Sequence, residues 1–225
     1  MKRVLVFCEG PTEETFVKEI AAPRFYGQGI ALIPIPCGGV SKYSIIKKRL
    51  SDLCKSDKNA LVTTMLDYYG LPEETPGKRI NHGGDIYCHI RGIEDAIGQD
   101  INAPNLLPNL LLHEFEALLF SKPECFQYCE ISKGKLDELK KISEEFENPE
   151  FINNSPETAP SKRILRIYPD YNKVLDGYNI AKEIGIDTMR MKCRHFDEWM
   201  QKIEIRICKE ICKEICKETA VKQGK

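Results

Sequence analysis

The sequence predicts an α/β fold, a parallel sheet of about four strands flanked by helices, followed by a helical C-terminal region. Three observations predict it. Val4 to Phe7 form an apolar, β-branched run that stops at Glu9-Gly10-Pro11, as a buried strand does where it meets a turn. The patterns then alternate as β-α-β-α-β through residue 66, which is the order of a parallel sheet with helices on its faces. Three of the strand patterns end in acids, and open parallel sheets build their sites at those strand ends.

Strand one is read over Val4–Cys8. Thr12 is placed as the cap of a helix over Glu13–Ala22, with Glu13 and Glu14 in its first turn,. Ile30–Pro36 reads as a second strand. Its Pro34 and Pro36 cannot donate to a ladder, which suits an edge,. Gly38-Gly39 makes a turn, and Ile45, Ile46, Leu50 and Leu53 give Tyr43–Cys54 a helical period,. Ala60–Leu66 is a third strand ending at Asp67. Gly70 to Gly84 reads as a long loop, the kind that is often functional, and Ile90–Ile97 as a helix,.

Leu106–Leu112 reads as a fourth strand despite Pro108. It runs into His113-Glu114-Phe115-Glu116 and then an apolar helix over Ala117–Phe120, which repeats the opening design. Lys135–Phe146 is amphipathic, Asn148 to Ser161 is a polar loop, and Tyr171–Ile184 and Phe196–Glu218 are helical. These patterns divide the chain into an α/β core over residues 1–122, a helical and loop extension packed on it over 123–200, and a tail helix over 201–225.

The 225 residues carry 42% hydrophobic and 30% charged side chains, enough for a buried core without staples,. A net charge of −1 gives no global field for nucleic acid and leaves only local basic patches,. No apolar run reaches the ~20 residues of a membrane span. The N-terminus reads as a strand and not as a signal peptide. The expectation is a cytoplasmic protein whose ten cysteines are reduced thiols,. No CxxC pair occurs, so Cys88-His89 and Cys193 with His195 read as filler and not as a zinc site,.

The tail repeats Ile-Cys-Lys-Glu as RICKEICKEICKE. Four residues turn a helix through about 400°, so the Ile/Cys stripe drifts by ~40° per repeat. Cys208, Cys212 and Cys216 fall near one face. Three thiols lack the fourth ligand of a structural zinc site, and they read as small hydrophobes on an amphipathic helix. Such a stripe invites helix pairing, so a homodimer is expected.

The candidate chemistry rests on Glu9, Asp67 and Glu114, with Glu116 beside it. In a parallel sheet these strand tips share one edge,. Clustered carboxylates repel one another and call for a cation or a proton. Oxygen ligands favour Mg²⁺ or Mn²⁺, which suit phosphodiester chemistry. Two residues on a helix point about 200° apart, so only one of Glu114 and Glu116 would face the site, and Glu114 is nearer the strand,. Ser161-Lys162-Arg163 is a candidate phosphate clamp or a solvated turn,. Lys42, Lys47, Lys48 and Arg49 either meet a nucleic-acid backbone or cover a helix surface,. His113 is a proton carrier near neutral pH or a buried, bonded ring. Tyr68 and Tyr69 stack on bases or pack in the core.

The motifs VFCEGPTEE (6–14), TTMLDYYGLP (63–72), LLHEFEALLF (111–120), INNSPETAPSKRI (152–164) and IGIDTMRMKCRHFDEW (184–199) resemble a prokaryotic family called domain of unknown function 4276, which is Toprim-like. Topoisomerases, primases, small maturation nucleases and overcoming-lysogenization-defect (OLD) nucleases share the Toprim domain. The resemblance implies a Rossmannoid Toprim-like sheet, with Glu9 as the Toprim glutamate that binds metal or moves a proton. It makes Asp67 the first acid of an Asp-x-Asp pair whose second place is held by Tyr69. Glu114 or Glu116 would replace the lost ligand.

The implied function is a Mg²⁺- or Mn²⁺-dependent nuclease acting on DNA or RNA, with catalytic Glu9, Asp67, Glu114 and Arg163 and with Lys162, Arg163 and Lys42 on phosphate. OLD-like systems couple such a domain to an ATPase in defence against phage or plasmids. The chain lacks a GxxxxGK[ST] loop, so the ATPase would be a separate subunit,. Tyr69 favours the alternative, a catalytically degenerate binding or regulatory subunit of an ATPase complex. Phosphoryl transfer on a free nucleotide is the third reading.

Overall fold

The computed structural model describes residues 1–39, 42–153 and 156–223, with side chains through residue 212 apart from that of Pro156. Its centre is a parallel sheet of β1 (Lys2–Cys8), β2 (Ile30–Pro36), β3 (Leu61–Asp67), β4 (Leu106–Leu107) and β5 (Leu110–Leu111). The strand order is β2-β1-β3-β4, with β5 pairing the end of β3. Every pairing is parallel, and Cys8 lies opposite Pro36 on one side and Met65 on the other. All carboxyl ends therefore share one edge. The proline-bearing strand β2 is at the margin, where its missing donors leave no gap in a ladder,.

Strand alternation sends Val4, Val6 and Cys8 into one core and Leu5 and Phe7 into another,. The second core is closed by α2 (Tyr43–Ser56) and α3 (Ile86–Ile101), which supply Tyr43, Leu50, Ile90 and Ile93. The first core is closed by α1 (Pro11–Phe16) and by most of the chain after residue 111, including Phe126, Ile164, Phe196 and Trp199. The helical extension is thus one wall of the main core.

Two local departures from the sequence reading have clear causes. The helix cap is Gly10 and not Thr12. Pro11 takes the first helical position, and the Glu13 carboxylate reaches back to accept the Gly10 N–H at 2.9 Å,. The fourth strand is split, because Pro108 carries no donor. Buried threonines of β3 fill the break. Thr63 Oγ1 donates to Leu107 O at 2.7 Å, and Thr64 Oγ1 accepts the Asn109 N–H at 2.8 Å while donating to Asn109 O. Trp199 Nε1 donates to Thr63 Oγ1 at 2.8 Å, which ties the C-terminal helix to this repair.

After residue 122 come α4 (Lys133–Glu144), α5 (Pro160–Ile167), α6 (Leu175–Ile184), α7 (Ile186–Lys192) and α8 (Arg194–Gln223). Helix α8 runs unbroken through residue 200, and it buries Ile203 and Ile207 in the main core. Cys208 and Cys212 are exposed free thiols, and the side chain of Cys216 lies outside the described residues. Among the described residues, no helix is long and apolar enough to cross a membrane.

Candidate active site

The acids predicted at the strand ends do gather at the carboxyl edge of the sheet. Glu9 follows β1 directly, and its Oε2 is buried with no hydrogen-bond partner among the described residues. Burial pushes the Glu9 carboxyl up, Glu13 and more weakly Glu114 add to this, and the Asp67 main-chain N–H and Lys173 oppose it,. Asp67 closes β3, and its Oδ1 accepts the Phe115 N–H at 3.1 Å. That bond seats the 3-10 helix Phe115–Ser121 on the strand tip. Burial first, then Glu13, Glu116, Glu9 and Glu114, hold the Asp67 carboxyl well above the usual carboxylate range.

Glu114 is extended (φ −149°) and caps that 3-10 helix, and its Oε2 accepts the Ser161 N–H at 3.0 Å. This bond fixes the N-terminus of α5 against the site. Glu116 is buried, 1% exposed, with Oε1 3.0 Å from the half-exposed Lys173 Nζ. Burial raises the Glu116 carboxyl against the pull of Lys173. Burial acts to lower the Lys173 ammonium, and Glu116, Glu114 and Asp67 more than offset it, so Lys173 is held charged. The wheel argument that admitted only one of Glu114 and Glu116 fails for a simple reason. Glu114 lies outside the helix, so helical spacing does not relate the two.

The placement of the other candidates is mixed. His113 has left-handed backbone (φ 68°) and is buried, and burial lowers it to about 4. That burial favours the neutral ring at pH 7, in keeping with the buried, bonded alternative. Its Nδ1 lies 3.1 Å from Asn153 Nδ2, and its ring packs on Tyr69 at 5.2 Å. Tyr68 packs on Tyr69 at 5.6 Å and meets His89 Nε2 through its hydroxyl at 3.2 Å. Arg163 is turned toward its own surroundings, with Nε donating to Thr158 O at 2.7 Å and the guanidinium over Phe146 at 5.2 Å. Lys162 and Lys42 are exposed, and Lys42 acts on Glu74. Lys47 pairs with Asp100 at 2.8 Å, and Arg49 braces Pro36 O and Cys37 O. Among the described residues, the cation at the carboxylates is Lys173, from a stretch that carries no motif.

Cys88, His89, Cys193 and His195, which the sequence reads as filler, each have other partners. Cys88 is exposed beside Arg91, Cys193 lies against Ser121, and His195 is bonded to Glu94. Among the described residues, no group of three or more His, Cys, Asp or Glu side chains is placed to hold one metal ion. Glu9, Asp67 and Glu114 therefore do not form a three-carboxylate cage as they stand, and Glu114 is already engaged by Ser161. The donor set does fit a hard cation bound by one or two carboxylates with water completing its shell, because Glu9 offers an unengaged buried oxygen beside the raised Asp67,.

A family model described as a domain of unknown function, DUF4276, matches residues 8–204. The chain belongs to the DUF4276 family. No curated protein matches it. Among solved structures, this DUF4276 chain is similar to the C-terminal region of the Burkholderia pseudomallei OLD protein, at 15% identity and a TM-score of 0.48, over 90% of this chain and 98% of that one. It is similar to the C-terminal region of the Xanthomonas campestris pv. campestris OLD protein phased with iodine, at 14% identity and a TM-score of 0.43, over 91% and 98% of the two chains.

Gly70 is a site residue of the DUF4276 chain that sequence reasoning passed over as the start of a loop. A Cβ there would come within 2.8 Å of Glu9 Oε2. Gly70→Ala is expected to displace the Glu9 carboxylate and lower any Glu9-dependent activity at least tenfold, while Tm changes by only a few degrees. Activity and melting measured on one preparation check this. Equal activity in the two proteins would contradict it.

Asp67 gives a pH-dependent expectation. Its folded pKa lies above its unfolded value, so its charge costs stability above the folded pKa, and the cost disappears as pH falls through it,. Asp67→Asn retains an oxygen for the Phe115 N–H. It should raise Tm near pH 8 by about 2–4 °C, on the order of 1 kcal/mol, and the gain should shrink toward pH 4. Melting curves of both proteins at the two pH values test this. A gain independent of pH would contradict it.

Proposed function

We propose that this DUF4276 chain is a Toprim-like, divalent-cation-dependent phosphodiester hydrolase acting on DNA or RNA. The observation that carries the reading is the crowd of raised carboxylates at the carboxyl edge, with one lysine among them and an unengaged Glu9 oxygen facing Gly70. Among the described residues the acids Glu9, Glu13, Asp67, Glu114 and Glu116 outnumber the Lys173 ammonium and repel a phosphodiester, so substrate approach requires added positive charge,. Mg²⁺ or Mn²⁺, when bound, supplies that charge and makes a water nucleophilic near neutral pH.

Glu9 and Asp67 are the residues that would hold the cation. Glu116 holds Lys173, whose half-exposed ammonium offers positive charge to a phosphate oxygen,. Glu114 and the start of α5 form the adjoining wall, which presents exposed Lys162 beside Ser161. Arg163 and Lys42 would reach phosphate only by leaving the contacts described above. A separate ATPase subunit, a cytoplasmic setting and a role against foreign DNA belong to this reading.

The absence of a three-ligand group among the described residues favours a second reading, a degenerate Toprim-like regulatory subunit of an ATPase complex. Incubating single- and double-stranded DNA and RNA with the full chain, with Mg²⁺, Mn²⁺ or chelator, separates the two. Cleavage that needs the cation and is lost in Glu9→Ala supports the hydrolase. Cleavage unchanged in Glu9→Ala would falsify the site.

A further inference from the structure

Behind the site lies a buried polar set that the proposed hydrolysis does not use. His195 Nε2 is 2.8 Å from Glu94 Oε1, and that oxygen also accepts the Leu110 N–H at 2.8 Å. Glu150 accepts from the Tyr87 hydroxyl, the His195 N–H and the Phe196 N–H, each at 3.0 Å. Every one of these side chains is at least nine-tenths buried. The unpartnered polar atom of the set is His195 Nδ1. His195 lines a small, largely buried cavity of about 10 Å³ together with Asn109, Glu150 and Glu114. Nine of its ten lining residues are buried, and the tenth is Glu114. The space is that of a single water, which needs two to four polar partners.

We propose that this cavity is a water site shared by His195 and Glu114, and that His195 is a positioning residue for Glu114. The inference rests on the reading that Glu114 belongs to the working site. Glu94 selects the tautomer with the proton on Nε2, which leaves Nδ1 as an acceptor,. The water donates one O–H to Nδ1 and the other to the Glu114 carboxylate. Glu114 Oε2 also accepts the Ser161 N–H. Two fixed donors then hold the plane of the carboxylate from behind, in the way that outer-shell partners orient the groups that act.

The test is a high-resolution crystal structure of the full chain and of His195→Gln, with ¹⁵N NMR of the histidine rings. Glutamine keeps a donor toward Glu94 and removes the Nδ1 acceptor. Expected in the unmodified chain is one water within about 3.2 Å of both Nδ1 and Glu114, with the proton of His195 on Nε2. Expected in His195→Gln is loss of that water and a rotated Glu114. In the cation-dependent assay kcat should fall about tenfold at constant KM. A dry cavity, a proton on Nδ1, or Glu114 unmoved in His195→Gln would overturn the proposal. If the variant does not fold, the structure and tautomer of the unmodified chain decide it. The crystallographic readings stand whether or not the chain cleaves nucleic acid, so failure here is distinct from failure of the hydrolase reading.

Discussion

Glu9→Gln is expected to remove cation-dependent cleavage, by a factor on the order of 10³, while Tm holds or rises. The activity loss follows from the role of Glu9 as the unengaged buried oxygen at the tip of β1. Losing the bound charge forfeits several kcal/mol of transition-state stabilisation, and 10³ corresponds to about 4 kcal/mol. The stability effect has the opposite sign because the charged carboxylate is unfavourable where it sits. Burial and Glu13 raise its pKa, so the fold carries that cost above the folded pKa and sheds it as pH falls through it,. Glutamine removes the charge and keeps the volume. Oligonucleotide cleavage and thermal melting of the two proteins check both halves. A variant that cleaves normally, or one that melts well below the unmodified chain near pH 8, would contradict the account.

Glu150→Ala is expected to give the largest loss of stability. Its carboxylate caps the start of α8 through the His195 and Phe196 N–H groups and also receives the Tyr87 hydroxyl. The residue is 3% exposed, so alanine leaves three buried donors with no acceptor. Each orphaned donor costs about 1–3 kcal/mol, less whatever water can enter. A net loss of about 3–5 kcal/mol lowers Tm by roughly 6–15 °C in a chain of this size. Glu150→Gln, which retains one acceptor oxygen, should lie between. Urea denaturation of the three proteins measures the series. A Glu150→Ala loss below about 1 kcal/mol would contradict the capping role.

Much of the sheet was legible because its signals are local. Val4 to Cys8, Ile30 to Pro36 and the run ending at Asp67 carry their own apolar and β-branched content, and the prolines of β2 marked it as marginal,. Helices α5 and α7 were not read. They span eight and seven residues, two turns each, and periodicity needs a longer window,. Helix α5 also starts inside a polar stretch and owes its position to the bond from Ser161 to Glu114.

The acids at strand tips were legible for the same local reason. Their partners were not. Lys173 joins the site through a contact across 57 positions of sequence with Glu116, and Gly70 matters only because Glu9 packs against it. His113 carries two readings in the sequence, a proton carrier or a buried, bonded ring, and burial, which no local pattern reports, lowers it to about 4,.

Crystals soaked in Mn²⁺ and measured at the manganese edge test the central claim most directly. The predicted result is an anomalous peak at the carboxyl edge within about 2.3 Å of a Glu9 or Asp67 oxygen, absent in Glu9→Gln crystals soaked alike. A peak that persists in the variant, or no peak at this edge at millimolar Mn²⁺, would contradict the account.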